Sequence, residues 1–122
     1  MAAVASVVSI ILFLAFLTAG LQKVLFNPAM SRVAEHLGLT KRAYQRLGGL
    51  EIVAGAAVMV GLVAKGASFL AILNEVAAAG LVVLMGGAVI WHRRHGDVFK
   101  VFAPALGLGA LALIELVFRI FQ

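Results

Sequence analysis

The chain has 122 residues, of which 64% are apolar and only 12% are charged. Soluble domains are nearer half apolar and a quarter charged, so this composition excludes an ordinary water-soluble fold and indicates a membrane protein. There is no cysteine, which excludes disulfides, a thiol nucleophile and thiolate metal ligands. The net charge is +5, but the basic residues flank apolar runs, where they meet anionic lipid, and we expect no nucleic-acid partner.

The chain begins with an apolar run that predicts a transmembrane helix over about residues 3–26. The run is about twenty residues long and no basic segment precedes it, which favours a retained span over a cleaved signal peptide. Asn27 and Pro28 then predict the start of a short second helix. Its apolar residues fall on one face, so we expect an amphipathic helix at the membrane interface that ends at Gly38; a solvated connecting helix is the alternative.

Three further apolar segments predict spans over about residues 43–64, 67–92 and 103–121. Thr40 is the expected N-cap of the first of these segments. The sequence therefore predicts one domain, residues 1–122, with an all-α membrane fold. The expected architecture is a four-transmembrane-helix bundle with a short amphipathic interfacial helix between spans 1 and 2.

The boundaries of the last three spans come from residues that break or anchor helices. Lys65 and Gly66 separate the second span from the third, which begins near Ala67. Trp91 is the expected interfacial anchor of the third span. Pro104 is expected in the first turn of the last helix, where proline is tolerated.

The basic residues are distributed unevenly between the two sides of this bundle. Because positively charged loops stay in the cytoplasm, we expect loops 1 and 3 inside, both termini outside, and the protein in the plasma (inner) membrane. Eight basic residues belong to loops 1 and 3 and their flanks, and two to the other side: Lys23, Arg32, Lys41, Arg42, Arg46, Arg93, Arg94 and Lys100 against Lys65 and Arg119.

Charged residues inside the spans are the strongest functional signal. Each costs about 2.5–3.5 kcal/mol at the middle of a membrane, so such residues face the bundle interior or a partner. Glu51 lies five residues, about 7 Å, deeper than Arg46 along the same helix, and Lys23 ends the first span at a similar depth. We predict a cluster of Lys23, Arg46 and Glu51. Two interpretations stay open: an ion pair that fixes helix packing, and a ligand-binding or proton site.

A second intramembrane polar cluster is predicted from Asn74, Glu75, Glu115 and Arg119. Glu75 is the deepest acid of the third span. Glu115 precedes Arg119 by one turn, the spacing of a favourable helical ion pair. A structural and a functional role both stay open for this cluster.

No motif predicts a catalytic or metal site. His92, His95 and Asp97 have a spacing compatible with a metal, but the arginines between the histidines repel a cation, so we predict none. The same segment suits contact with lipid phosphate. Phosphate-binding glycine loops and a Ser-His-Asp set are missing from the sequence, so we predict no catalytic residues.

Several segments, taken together and in order, resemble the DoxX-like membrane proteins. The resemblance lies in Gly20-x-x-Lys23, in RLGGLEIVAG at residues 46–55, in MGGAVIWHRRHGD at residues 85–97 and in Pro104, and it covers nearly the whole chain. It implies a four-helix membrane bundle. The family takes its name from a small membrane subunit of a thiosulfate:quinone oxidoreductase, and some similar proteins act as assembly factors for membrane proteins.

The resemblance implies a polar site at Lys23, Arg46 and Glu51. Three functions are compatible with the sequence. The first is a small subunit or assembly partner of a larger membrane complex, whose partners are lipid and either other membrane proteins or further copies of itself. The second is a redox-linked subunit that binds quinone near this polar site. The third is a small transporter or a proton path through Glu75 in an oligomer. We expect quinone or lipid as the ligand and no enzymatic activity of the chain on its own.

Overall fold

The computed structural model describes residues 2–60 and 69–121, and this part of the chain is all α-helical, as predicted. The predicted end of the second span at Ala64, the break at Lys65 and Gly66, and the predicted start at Ala67 lie outside the described residues. Five helices follow one another: α1 (Ala2–Leu25), α2 (Pro28–His36), α3 (Lys41–Met59), α4 (Phe69–Arg94) and α5 (Phe99–Ile120).

Three of the described helices are long and apolar enough to cross a membrane. They are α4, α5 and the Ser6–Leu25 part of α1. Only 11% of the apolar window of α5 is buried within the protein, so most of this helix needs an apolar solvent around it. The described part of α3 is not among the three, and four of its nineteen residues are charged.

Two side-chain caps start helices where the sequence predicts them. The Asn27 side chain accepts a hydrogen bond from the backbone N–H of Met30 at 2.9 Å and begins α2. The Thr40 hydroxyl accepts one from the N–H of Ala43 at 3.1 Å and begins α3. Gly38 has a φ of +71° just after α2, a conformation that glycine adopts without steric cost.

The last helix begins earlier than the sequence predicts. α5 starts at Phe99 rather than at residue 103, so Pro104 lies inside the helix and not in its first turn. Proline has no N–H, and only the bond that residue 104 would make to the Lys100 carbonyl is lost. The turn that precedes the proline can therefore stay helical.

The long helices form a ring of two helix pairs. α1 packs mainly on α3 and α4 mainly on α5, and the contacts α3–α4 and α1–α5 close the ring. Within the first pair, Gly20 and Gly48 let the two backbones approach closely. A Cβ built on Gly48 would lie 2.6 Å from the Gly20 carbonyl oxygen and 2.7 Å from the Lys23 Cβ.

A buried hydrogen-bond network joins the two pairs and includes all four long helices. Ser9 in α1 donates to Glu115 Oε1 in α5 at 2.6 Å. Asn74 in α4 donates to the same oxygen at 3.2 Å and to the Val58 carbonyl of α3 at 2.6 Å. Arg119 donates to Glu115 at 3.0 Å and to Ser9 at 3.1 Å. We call these five residues the four-helix polar network.

The apolar core lies beside this network and draws on the same four helices. Between helices in lipid, close packing and hydrogen bonds stabilise association, because lipid chains are as apolar as the helix surfaces. The fully or nearly fully buried apolar residues are Val8, Leu12, Phe16, Val58, Ala78, Leu81, Met85 and Ala112.

We predict that Gly48→Ala destabilises the protein by about 1–3 kcal/mol, because the new Cβ overpacks the α1–α3 contact. Gly49→Ala is the matched control, since nothing lies within 4 Å of a Cβ built there. This control should leave stability unchanged or raise it by up to about 1 kcal/mol through helix propensity. Unfolding in mixed micelles, followed by circular dichroism, measures both variants, and equal stabilities would contradict the close packing.

Candidate functional site

The structure brings Lys23 and Glu51 together as an ion pair between α1 and α3. Lys23 Nζ lies 2.9 Å from Glu51 Oε1, and Glu51 is only 2% exposed. The ammonium also lies 5.6 Å from the centre of the Tyr44 ring, within the range of a cation–π contact. A buried charge needs a partner, and each of these two charges compensates the other.

Arg46, the third member of the predicted cluster, lies elsewhere. It is exposed, and it makes no ion pair with any other residue that the structure describes. An α-helix turns by about 100° per residue, so residues 46 and 51 point about 140° apart. Glu51 therefore faces α1 while Arg46 faces outward.

A cavity of about 540 Å³ lies between the two helix pairs, beside this ion pair. Its volume is in the range that holds a small organic ligand. The polar side chains on its wall are those of Lys23, Tyr44 and Glu51 on α1 and α3, and of Trp91 and His92 on α4. All other lining residues are aliphatic, methionine, proline or glycine. The cavity is thus apolar with polar atoms on two facing sides.

Asp97 lies in loop 3, between α4 and α5, and bonds to α2, which belongs to loop 1 between α1 and α3. Its carboxylate oxygens lie 2.6 Å from His92 Nδ1 in α4 and 2.8 Å from His36 Nε2 in α2. Beside this bridge, the Trp91 indole N–H donates to the Leu37 carbonyl at 2.9 Å. The residues that follow α2 are thereby held against the end of α4.

The hydrogen bond from His92 lowers the pKa of the Asp97 carboxyl, and the bond from His36 lowers it further. Together they outweigh desolvation, which raises this pKa. Asp97 is therefore ionised at neutral pH and can only accept hydrogen bonds. His92 must then donate through Nδ1, which leaves Nε2 as the acceptor in a neutral imidazole. Among residues 2–60 and 69–121, no three His, Asp or Glu side chains form a group that could hold a metal ion.

Three members of the second predicted cluster meet in the four-helix polar network. They are Asn74, Glu115 and Arg119. Glu75 is half-buried and has no hydrogen bond or ion pair with another described side chain. It follows Asn74 directly, so it points about 100° away from the network.

Sequence reasoning missed Ser9 and His36. Ser9 is a small polar residue in a helix that is apolar all round, so no periodicity marks the face on which it lies. His36 belongs to an exposed surface, and its contact with Asp97 joins loops that are 61 residues apart in the chain. Trp91 is predicted as an interfacial anchor, whereas the structure also places it on the cavity wall.

We predict that the stabilising effect of Asp97 weakens in acid. Because the folded pKa of Asp97 is lowered, its contribution is fully present above the ordinary carboxyl value of about 3.9 and is lost as the pH falls through the folded value. The difference in unfolding free energy between the wild type and Asp97→Asn should therefore be constant near neutral pH and shrink as the pH falls from about 5 to about 2. Glu35→Gln, on the exposed face of α2, is the control and should stay close to the wild type at neutral pH. A difference for Asp97→Asn that does not change with pH would contradict the bridge.

Comparison with known protein families matches residues 7–114 to the DoxX-like family. No curated protein and no solved structure matches the chain. The family match and the three long apolar helices identify a small integral membrane protein. The match confirms the resemblance of the chain to this family. Because it covers far more than half of the sequence, the chain belongs to the DoxX-like family.

Proposed function

We propose that the protein is a small membrane protein that binds an amphipathic ring compound of the quinone class between its two helix pairs. The observation that carries this proposal is the cavity of about 540 Å³, which is apolar on most of its wall and lies beside the Lys23–Glu51 pair. The apolar wall suits an alkyl or isoprenoid chain. A ring carbonyl can accept a hydrogen bond from the Lys23 ammonium, and charge-assisted bonds of this kind are among the stronger ones.

The charge of the site favours a neutral ring over a lipid phosphate. Glu51 already neutralises Lys23 at 2.9 Å, so a phosphate would find no net positive charge and would be repelled by the carboxylate. A carbonyl carries only a partial negative charge and needs only one donor. Tyr44 on α3 and Trp91 on α4 add aromatic surface to the cavity wall, which suits contact with a flat ring.

Trp91 offers a direct measurement of binding, because it is the only tryptophan in the sequence and lines the cavity. We predict that decylubiquinone quenches its fluorescence saturably in detergent. Lys23→Met removes the donor while keeping a chain of similar length, and it should weaken binding about tenfold, the effect of a lost hydrogen bond of about 1.4 kcal/mol. Arg46→Gln is the control, since this residue is exposed and lies off the cavity wall, and it should bind like the wild type.

Two outcomes would contradict this function. Quenching that rises linearly without saturation would indicate partition into the detergent rather than binding. Equal affinity of the wild type and Lys23→Met for decylubiquinone would show that the ion pair does not contact the ligand.

We propose four membrane crossings, with loops 1 and 3 in the cytoplasm and both termini outside. The contacts of Asp97 with His36 and of Trp91 with Leu37 support this topology, because they place loop 1 beside loop 3. Two loops on the same side of a membrane are separated by an even number of crossings. Between loops 1 and 3, α4 supplies one crossing, so a second is needed. α3 would be the other, despite its charges, and α2 would lie at the membrane surface with Ala34 turned inward.

Single cysteines test this topology, because the chain has none of its own. Ala3→Cys and Arg94→Cys should react with a membrane-impermeant maleimide from opposite sides of oriented vesicles. Arg32→Cys in α2 is the control and should react from the same side as Arg94→Cys. Labelling of Ala3→Cys and Arg94→Cys from one side would contradict the four-crossing arrangement.

A second candidate function is a non-catalytic subunit or assembly partner within a larger membrane complex. It is favoured by exposed glycines on α4 and α5 that lie off the cavity wall: nothing lies within 4 Å of a Cβ built on Gly80, Gly86 or Gly107. Such small residues allow another helix to approach closely. Native mass spectrometry after gentle extraction separates the two candidates, since a stoichiometric protein partner favours the second and a bound mass of quinone size favours the first.

A further inference from the structure

His92 lies on the cavity wall formed by α4, diagonally across the ring from α1 and Lys23. Its Nδ1 is held by Asp97 at 2.6 Å, and the other oxygen of that carboxylate is held by His36 at 2.8 Å. The imidazole is therefore fixed in position through a carboxylate that is itself fixed. No other residue in the described part of the chain bonds to His92 Nε2.

Lys23 and His92 offer opposite hydrogen-bonding chemistry across the cavity, and Glu51 beside Lys23 is already engaged by the ammonium at 2.9 Å. Lys23 can only donate, whereas the free Nε2 of a neutral His92 can only accept. A ring that carries both a carbonyl and a hydroxyl satisfies both sides. A fully oxidised quinone without a hydroxyl satisfies only the lysine.

We propose that His92 Nε2 accepts a hydrogen bond from a ring hydroxyl of the ligand, so that the cavity selects hydroxylated ring compounds over the corresponding methyl ethers. This inference rests on the proposed ligand-binding function and narrows its ligand class. Asp97 is a positioning residue in this arrangement, because its carboxylate keeps the proton of His92 on Nδ1. An asparagine at this position has an amide that can donate to Nδ1, which would turn Nε2 from an acceptor into a donor.

Decyl para-hydroxybenzoate and decyl para-methoxybenzoate are matched probes, since both carry a ring, a carbonyl and an alkyl chain and only one carries a hydroxyl. Trp91 fluorescence of the full chain gives the Kd of each probe. We expect the wild type to bind the hydroxyl probe about tenfold more tightly than the ether. The ratio of the Kd of the ether to the Kd of the hydroxyl probe should fall to about one in His92→Phe. This ratio should also fall in Asp97→Asn. The ether probe should bind both variants with nearly its wild-type Kd.

His95→Phe is the matched control. His95 Nδ1 bonds to the Trp91 carbonyl at 2.8 Å, and the residue is not on the cavity wall, so the ratio should stay at its wild-type value. A general disturbance of the fold would weaken both probes together and would leave the ratio unchanged. The ratio therefore separates a contact of His92 with the hydroxyl from a purely structural role.

A ratio near one in the wild type, or an unchanged ratio in His92→Phe, overturns the inference. If decylubiquinone binds and neither benzoate does, the inference fails while the proposed function stands; if none of the three binds, both fail. Should His92→Phe not fold, nitrogen NMR of the labelled imidazoles in the wild type gives the answer. The hydroxyl probe should shift the Nε2 signal of His92 and the ether probe should not, and equal spectra with the two probes overturn the proposal.

Discussion

One carboxylate oxygen of Glu115 accepts hydrogen bonds from Ser9, Asn74 and Arg119, and through them it ties α1 and α4 to α5. Asn74 extends the same network to the Val58 carbonyl of α3. Apolar helix surfaces in lipid have little preference for one another over lipid chains, so polar contacts of this kind decide which faces meet. The arrangement of the two helix pairs depends on this network.

The charged groups around the cavity are arranged so that none is left without compensation. Lys23 and Glu51 neutralise each other on one side, and Asp97 accepts bonds from two histidines on the other. Burial of a single charge would cost several kcal/mol, whereas compensated groups keep their hydrogen-bonding capacity. The site can therefore present directional donors and acceptors to a ligand without attracting ions. That combination suits a neutral, polar ring better than a charged solute.

The helices and their caps could be predicted because they depend on local sequence: apolar runs, Asn27 and Thr40 fix them. The pairs Lys23–Glu51 and Glu115–Arg119 followed from depth and from one-turn spacing. Helix rotation could not be predicted, because α1 and α4 are apolar on nearly all sides and give no face to choose. The predicted clusters rest on depth in the membrane, which groups Arg46 with Glu51 and Glu75 with Glu115. The turn of about 100° per residue separates Arg46 from Glu51 and Glu75 from Asn74 around their helices, and depth does not give that angle. The contact of His36 with Asp97 depends on where two loops meet, which local patterns do not encode.

The division of the bundle into two helix pairs also bears on how such a chain assembles in the bilayer. Each half, residues 2–60 and residues 69–121, contains one hairpin whose helices pack mainly on each other, so each hairpin can insert before it meets its counterpart. Recognition between the hairpins then resembles subunit association: Ser9 and the Val58 carbonyl of one meet Asn74 and Glu115 of the other. Two fragments divided between these halves and made separately would recombine through that polar match. A hairpin with leucine in place of Asn74 would insert equally well, but only the bonds of Ser9 with Glu115 and Arg119 would then remain to select its counterpart.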